Sequence, residues 1–303
     1  MTQDDGRVLV TGATGYLGGA VVRALAAEGR PVRVAVRRDP GGWPDGVEVM
    51  AVGELGPDTD WSDAVRDVDG IIHCAARAHV LKETAVDPLE EFRRVNTAAT
   101  AALAEQAAAA GVRRLVFVSS IGVNGAETHG VPFTAHDRPQ PHSPYAVSKH
   151  EAELALARIA NVTSLEVVTL RPPLVVGPEA RGNLGTLARW IARGLPLPFA
   201  WVDGNRRDLV SRERLVNLIR VCLDHPRAAG QTFLVSDGQA VSTRRLLLDM
   251  AGMIGRPARL WPVPPVLLDA GLRLLGRRAM RSQLLGDLEI DIAHTRERLD
   301  WRP

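Results

Sequence analysis

The sequence predicts an α/β fold in which a doubly wound parallel sheet is joined to a smaller C-terminal domain. Runs of apolar, β-branched residues alternate with helical patterns through the first half of the chain. Continuous apolar strands separated by crossover helices are typical of a parallel sheet that helices cover on both faces. A glycine-rich turn follows the first strand, and prolines break the pattern into shorter segments after residue 171. These three observations define the expected architecture.

The first half of the chain contains six predicted strands, which begin at Val8, Pro31, Val47, Gly70, Arg113 and Leu165. Helical patterns cover residues 17–28, 60–65, 95–110 and 144–159, and later helices are expected at 212–223 and 243–254. A further strand-like run, QTFLV, begins at Gln231. We therefore expect one domain over residues 1–172 and a second over 173–303. The boundary is soft because the segment near 205–235 is expected to return to the first domain.

The composition indicates a globular protein with a large core. The chain has 303 residues, is 46% hydrophobic and carries a formal charge of +2, so neither nucleic acid nor a membrane is an expected partner. It has no run of about 18 apolar residues and no apolar signal core at its start, which favours a soluble, cytoplasmic protein. Cys74 and Cys222 lie in apolar runs, where reduced core thiols are expected and a metal site is not.

One segment departs from this charge balance. The run RLLGRRAMRS places four arginines among leucines, at positions 273, 277, 278 and 281. A solvated face or a lid helix is one interpretation, because arginine stems cover apolar surface while their charged ends stay in water. The alternative is an anion-binding wall of a substrate site.

The glycine-rich turn predicts a dinucleotide site. Gly12, Gly15 and Gly18 recur at three-residue spacing where the strand VLVTG passes into a helix, and Thr14, Tyr16 and Leu17 lie between them. Glycine permits the tight turn and lets backbone N–H groups approach a pyrophosphate, which the helix N-terminus attracts. A glycine triplet alone is weak evidence, but its place at the first strand–helix junction is the context that the motif requires.

The end of the second strand bears on the choice between NAD and NADP. An acidic residue there would bind the ribose hydroxyls of NAD, whereas basic residues would bind the 2′-phosphate of NADP. The chain reads VRVAVRRDP, so Val36 occupies the expected acidic position and Arg37 follows it. Because a guanidinium suits phosphate, we expect Arg37 to bind a 2′-phosphate and NADP to be preferred over NAD. The alternative is that the arginines after Val36 are solvated and NAD is bound.

A second motif predicts acid–base chemistry. In SPYAVSK, Ser143 and Pro144 suit the start of a helix, which places Tyr145 and Lys149 four residues apart on one helix face. An ammonium group near a phenol favours the phenolate and is expected to lower the pKa of Tyr145. The strand FVSS ends with Ser119 and Ser120, and a hydroxyl there is expected to hydrogen-bond the substrate oxygen.

Several segments together resemble the NAD-dependent epimerase/dehydratase family of extended short-chain dehydrogenases. They are TGATGYLG, IIHCAA, FVSSIGVNG, PYAVSK, RPPLVVGP, NRRDLV and TRERLDWRP, in this order over nearly the whole chain. The resemblance implies a Rossmann-like domain and a small C-terminal domain that binds a nucleotide sugar. It implies catalytic roles for Ser120, Tyr145 and Lys149.

The resemblance also implies binding residues. For the cofactor these are the glycine turn, Lys149, Ala75 and Ala76 after the fourth strand, and Asn96, for which helix capping is an alternative. For a UDP-linked sugar they are Asn183 and Arg207, with Arg206 as a substitute and an ion pair to Asp208 as the structural alternative. His79 either faces the sugar or is a packing or surface residue.

The family catalyses several reactions, and the residues narrow the choice. Family dehydratases carry Asp-Glu after the catalytic serine or threonine, but Ile121 and Gly122 stand there and neither transfers a proton. Arg37 favours reduction of a UDP-4-keto-6-deoxy-hexose or -hexosamine by NADPH, with Tyr145 as the acid. The alternatives are a UDP-hexose 4-epimerase with tightly bound NAD and a non-catalytic dinucleotide sensor or assembly factor. The resemblance further implies a homodimer through the helices at 95–110 and 144–159.

Overall fold

The computed structural model describes residues 6–78, 87–178 and 182–303, except the side chains of Asn183 and Arg278. The strands are β1 (Val8–Thr11), β2 (Val32–Val36), β3 (Glu48–Ala51), β4 (Gly70–His73), β5 (Arg114–Val118), β6 (Glu166–Arg171), β7 (Leu174–Val176), β8 (Leu209–Ser211) and β9 (Thr232–Leu234). The helices are α1 (Gly18–Ala27), α2 (Ser62–Val65), α3 (Pro88–Phe92), α4 (Ala99–Ala109), α5 (Pro144–Val162), α6 (Gly182–Ala192), α7 (Arg212–Asp224), α8 (Thr243–Ile254), α9 (Pro265–Leu274), α10 (Arg278–Leu285) and α11 (Ala293–Leu299).

Within these ranges, seven strands form a parallel sheet in the order β3-β2-β1-β4-β5-β6-β9, and β7 pairs with β8 in a second, two-stranded sheet. Successive strand residues point to opposite faces. Val8 and Val10 accordingly lie in the core under α1 and α7, whereas Leu9 lies in the core under α4 and α5. The predicted doubly wound parallel sheet is confirmed.

The smaller lobe has a core of its own. Leu184 and Leu187 of α6 pack against Leu247 and Met250 of α8, together with Phe199 of the intervening loop. The sheet lobe in turn receives chain from the C-terminal half, because β9 pairs with β6 and the buried Trp301 lies in the sheet-lobe core and donates to Asn217 of α7. Segments of the two lobes therefore interleave along the chain.

The predicted helix over residues 95–110 differs from the observed one. Residues Arg93–Ala98 form a π-helical turn, and α4 begins only at Ala99. The short helix α3 precedes this turn. The carboxylate of Asp87 caps the N-terminus of α3 by accepting from the Leu89 and Glu90 amides. Single π turns inside helices are frequent at functional sites, and here the turn carries Asn96.

Two further observations concern the described residues as a whole. No helix among them is long and apolar enough to cross a membrane. Cys74 and Cys222 are both free thiols, and burial raises the pKa of the Cys74 thiol to about 12.

Candidate active site

The glycine turn between β1 and α1 is built by close backbone contact. Gly12 has a φ of +67°, and a Cβ on it would lie 2.6 Å from the Ala75 amide nitrogen. A Cβ on Gly15 would lie 2.9 Å from the Gly12 carbonyl oxygen, and one on Gly18 would collide with the same carbonyl. The turn therefore requires glycine at all three positions and leaves the N-terminus of α1 open, which fits a dinucleotide pyrophosphate.

A cavity of about 560 Å³ lies beside this turn. Its lining includes Thr14, Tyr16, Arg23, Trp43 and Arg212. The Arg212 guanidinium lies 4.9 Å from the centre of the Tyr16 ring, a cation–π arrangement. The sequence interpretation missed Arg23, Trp43 and Arg212, because no local pattern links them to the glycines.

Arg37 lies elsewhere. Its guanidinium pairs with Glu54 at 3.4 Å, and both side chains are more than two-thirds exposed. The cavity lining includes Arg23 and Arg212 rather than Arg37. An exposed ion pair of this kind is weak and exchanges readily with solvent, so binding of a 2′-phosphate by Arg37 stays a prediction.

Hydrogen bonds join the loop after β4 to the glycine turn. The Ala75 amide donates to Thr11 Oγ1, and Thr11 Oγ1 lies 2.7 Å from Nδ1 of the buried His73. Thr100 Oγ1 donates to the Asn96 carbonyl, so it accepts from His73 Nε2. These partners assign the neutral Nε2–H tautomer, in agreement with burial, which lowers the pKa of His73 to about 3. His73 therefore supports the loop and does not exchange protons.

Asn96 is buried and joins three parts of the site. Its Oδ1 accepts from the Arg77 amide at 2.7 Å, while its Nδ2 donates to the Arg77 carbonyl and to Ser148 Oγ. Ser148 Oγ in turn donates to the Tyr145 carbonyl. Both amide hydrogens of Asn96 are thus used within the protein, and this geometry indicates a positioning role. Neither the capping alternative nor a direct cofactor contact is needed to explain its burial.

The two serines after β5 have different surroundings. Ser119 Oγ donates to the Glu153 carboxylate at 2.5 Å. Ser120 Oγ instead accepts from the Gly122 amide at 3.1 Å and keeps its own proton. A Cβ on Gly122 would lie 3.3 Å from Ser120 Oγ and 3.4 Å from the Ala146 side chain, so Ser120 lies beside the first turn of α5. Ser119 thus donates its hydroxyl proton to Glu153 and Ser120 does not, while a substrate contact by Ser120 stays a prediction.

Tyr145 and Lys149 lie on the first turns of α5, which Ser143 caps by accepting from the Ala146 amide. The Tyr145 ring packs edge-on against Phe92, and the Lys149 ammonium lies 4.0 Å above the centre of the Phe117 ring. Lys149 is only 1% exposed. Burial and the Phe117 contact hold the Lys149 side chain, and Phe92 packs against the partly buried Tyr145 ring.

The pKa of Tyr145 departs from the sequence expectation. Burial raises it to about 12, opposite to the direction expected from Lys149, and burial also lowers the pKa of Lys149 to about 7. Both shifts have one cause, because a low-dielectric environment penalises the phenolate and the ammonium alike. The expectation neglected burial.

Glu153 is a buried carboxylate that supports the charge on Lys149. It opposes the effect of burial and raises the pKa of Lys149. Arg171, at the end of β6, donates to both Glu153 oxygens at 3.0 and 2.6 Å, and its remaining nitrogen donates to Asn124. This network ties α5 to the ends of β5 and β6, and no motif in the sequence singled it out.

The described arginines that were predicted to bind the sugar nucleotide are engaged in contacts within the protein. Arg207 donates to the carbonyl oxygens of Ser282 and Gly286 at 2.9 Å, so it holds α10. Its proposed ion pair with Asp208 is not what the structure shows, since Asp208 accepts from Ser236 and from the Ile290 amide. Arg206 pairs with Glu289. His79 and the side chain of Asn183 lie outside the described residues.

The site thus combines a dinucleotide turn with a serine, tyrosine and lysine set at the carboxyl edge of a parallel sheet, which defines an NAD(P)-dependent oxidoreductase of the extended short-chain dehydrogenase type. The chain matches the model of the NAD-dependent epimerase/dehydratase family over residues 8–236, and it belongs to that family.

Individual relatives agree. The chain is 41% identical to UDP-glucose 4-epimerase from Vibrio cholerae over 98% of its own length and 90% of that protein. Among solved structures, it is similar to UDP-glucose 4-epimerase from Thermus thermophilus in complex with NAD, at 26% identity and a TM-score of 0.76 over 98% and 94% of the two chains. It is also similar to MoeE5 in complex with UDP-glucose and NAD, at 25% identity and a TM-score of 0.76 over 98% and 93%.

Proposed function

We propose that this protein is a UDP-hexose 4-epimerase, which removes a hydride from carbon 4 of the sugar and returns it to the opposite face. The observation that carries the proposal is the convergence of the glycine turn, Ser120, the partly buried Tyr145 and the buried Lys149 at one edge of the sheet. The choice of substrate is supported by the relatives, two of which are named UDP-glucose 4-epimerase. The relatives therefore favour 4-epimerisation over 4-keto reduction, the two redox reactions that the sequence left open.

NAD, when bound, would accept the hydride and return it. Tyr145 takes the proton of the 4-hydroxyl as the hydride leaves, and it returns that proton to the carbonyl oxygen when the hydride comes back. Ser120 donates its free hydroxyl proton to the same oxygen and so fixes it near the phenol. In this proposal Lys149 in its charged form stabilises the phenolate and so offsets the rise in the Tyr145 pKa that burial causes.

The cofactor would lie along the glycine turn. Backbone N–H groups at the start of α1 suit the pyrophosphate, Arg212 adds a positive charge above Tyr16, and Trp43 offers an aromatic surface in the same cavity. NAD is the cofactor that this proposal requires. Asn183 and Arg207 stay proposed as residues that bind the UDP moiety. Arg207 would bind it through the guanidinium nitrogens that do not donate to α10.

A second candidate is the NADPH-dependent reduction of a UDP-4-keto-6-deoxy-hexose or -hexosamine. It is favoured by one specific observation: β2 ends at Val36 without an acidic side chain, while Arg37 follows and Arg23 lines the neighbouring cavity. A 2′-phosphate would be compatible with such surroundings, and an exchangeable NADPH serves a reductase.

Two assays separate these candidates. Purified protein given UDP-galactose without added cofactor is expected to form UDP-glucose, and Tyr145→Phe is expected to lose at least about 100-fold in kcat because the proton carrier is removed. Oxidation of NADPH that depends on a UDP-4-keto sugar, with no change in UDP-galactose, would instead establish the reductase. Inactivity in both assays would favour a dinucleotide sensor, although such proteins usually lack the tyrosine or lysine retained here.

We also propose a homodimer through α4 and α5 in the cytoplasm. Both helices present small alanine side chains on their partly exposed faces, which permits close helix packing. Sedimentation equilibrium at micromolar concentration is expected to give twice the mass of 32.7 kDa.

A further inference from the structure

Helix α9 has an unusual outward face. Four apolar residues share one half of the α9 circumference, at about 3.6 residues per turn, or lie just beyond the end of the helix. They are Val266, Leu267, Leu274 and Leu275. Their exposed fractions are 76%, 63%, 91% and 69%. No residue of α9 is buried, and only its opposite side, with Leu268, contacts the core of the smaller lobe. The amphipathic pattern is thus turned outward.

The exposed apolar surface continues beyond α9. Trp261, just before the helix, is 61% exposed, and its amide donates to the Leu197 carbonyl. Its carbonyl accepts from the Ala200 amide, and the next residue, Trp201, is 56% exposed. Large exposed apolar side chains, on α9 and in the segment just before it, are typical of a binding surface.

The chain segment that contains α9 is rich in arginine. Residues 252–286 contain six arginines and one aspartate, a net charge of +5, whereas the whole chain carries +2. The aspartate, Asp269, is already paired with Arg273 and Arg281. Arg277 is exposed at the end of α9. An outward apolar face bordered by arginine is the pattern of a helix that lies in the plane of an anionic bilayer surface.

We propose that α9 docks this protein onto an anionic phospholipid surface, with its leucines in the headgroup boundary and Arg273 and Arg277 against lipid phosphates. A second copy of the chain suits this face less well, because a two-fold contact would bring the arginine borders of both protomers together. This proposal departs from the sequence expectation that no membrane is a partner. That expectation averaged the charge over the whole chain and so concealed a local excess.

Vesicle co-sedimentation of the full chain tests the proposal. Wild-type protein is expected to sediment with vesicles of phosphatidylcholine and phosphatidylglycerol, less with phosphatidylcholine alone, and less again at 0.5 M salt, which screens the arginines. The double variant Leu267→Glu/Leu274→Glu and the double variant Arg273→Gln/Arg277→Gln are each expected to weaken binding at least tenfold. The leucine variant should retain wild-type turnover of a soluble substrate, because the outward leucines of α9 lie outside the proposed catalytic and binding residues.

Val131→Glu is the control. Val131 is 73% exposed and lies outside α4, α5 and α9, so the substitution adds the same type of charge on a different surface and is expected to leave binding unchanged. Three results would overturn the proposal: no sedimentation of wild type with anionic vesicles, equal binding by the leucine variant, or a wild-type dimer that the leucine variant converts to monomer. The last result would assign α9 to a contact between two copies.

Discussion

At the residue scale, Lys149 combines a catalytic charge with an energetic cost. It lies 1% exposed above the Phe117 ring, and burial lowers its pKa to about 7 from 10.5. Proteins rarely bury an ammonium unless it has a function. Together with the pKa of about 12 that burial gives Tyr145, this supports the catalytic roles proposed for the two residues.

Lys149→Met is therefore expected to abolish turnover and raise Tm. Between pH 7 and about 10 the unfolded state binds more protons than the folded state, so the penalty of the buried charge is full below pH 7 and disappears as pH rises. The gain in Tm should be largest below pH 7 and shrink towards pH 10. Calorimetry from pH 6 to 10 measures it, with Arg158→Met on the exposed face of α5 as the control. A variant that melts below wild type at pH 6 would contradict this reading.

Glu153 is expected to act on catalysis through Lys149. Its carboxylate raises the pKa of Lys149, so Glu153→Gln should lower that pKa and move the alkaline limb of the kcat profile to lower pH. The variant also breaks a buried pair with Arg171, which typically costs about 3–5 kcal/mol.

Glu151→Gln is the control for this variant, because Glu151 pairs with Arg93 on a more exposed side of the same helix. It should leave the pH profile in place. If Glu153→Gln lowered Tm but left the alkaline limb unmoved, Glu153 would be structural only.

At the element scale, the junction between β1 and α1 brings backbone atoms so close together that a side chain does not fit between them. Gly18→Ala is expected to weaken NAD binding at least tenfold and to lower Tm, because its Cβ would meet the Gly12 carbonyl. Gly252→Ala in α8 is the matched control. No atom lies within 4 Å of its added Cβ, so helix propensity should stabilise it by up to about 1 kcal/mol. Titration of intrinsic fluorescence with NAD and thermal melts give both quantities; equal NAD affinity for Gly18→Ala and wild type would contradict the account.

Local sequence signals predicted those elements whose cause is local. The glycine turn, the Ser143 cap with Pro144 and the apolar strands all have short-range patterns, and the sheet confirms the fold that they imply. The π turn that carries Asn96 has no such pattern, since it is stabilised by hydrogen bonds to Arg77 and Ser148. Arg212 and Trp43 meet the glycine turn only through the folding of distant segments. The pKa of Tyr145 was misjudged because burial is a property of the whole fold.

At the scale of the whole molecule, the interleaved chain joins two lobes with separate cores. The sheet lobe holds the glycine turn and the Tyr145–Lys149 pair, while the smaller lobe packs around α6 and α8. The return of β9 and of the C-terminal segment to the sheet lobe couples the stabilities of the two lobes. We therefore expect the chemistry to depend on the sheet lobe, while the smaller lobe selects the substrate and presents α9 outward.

The path of the hydride tests the central claim most directly. UDP-galactose carrying deuterium at carbon 4 is incubated with the purified protein, without added cofactor, and the product is examined by NMR. We expect UDP-glucose that keeps its deuterium at carbon 4, because the label is moved and returned within one site, and almost none with Tyr145→Phe. Loss of the label to solvent, or undiminished conversion by Tyr145→Phe, would contradict the account.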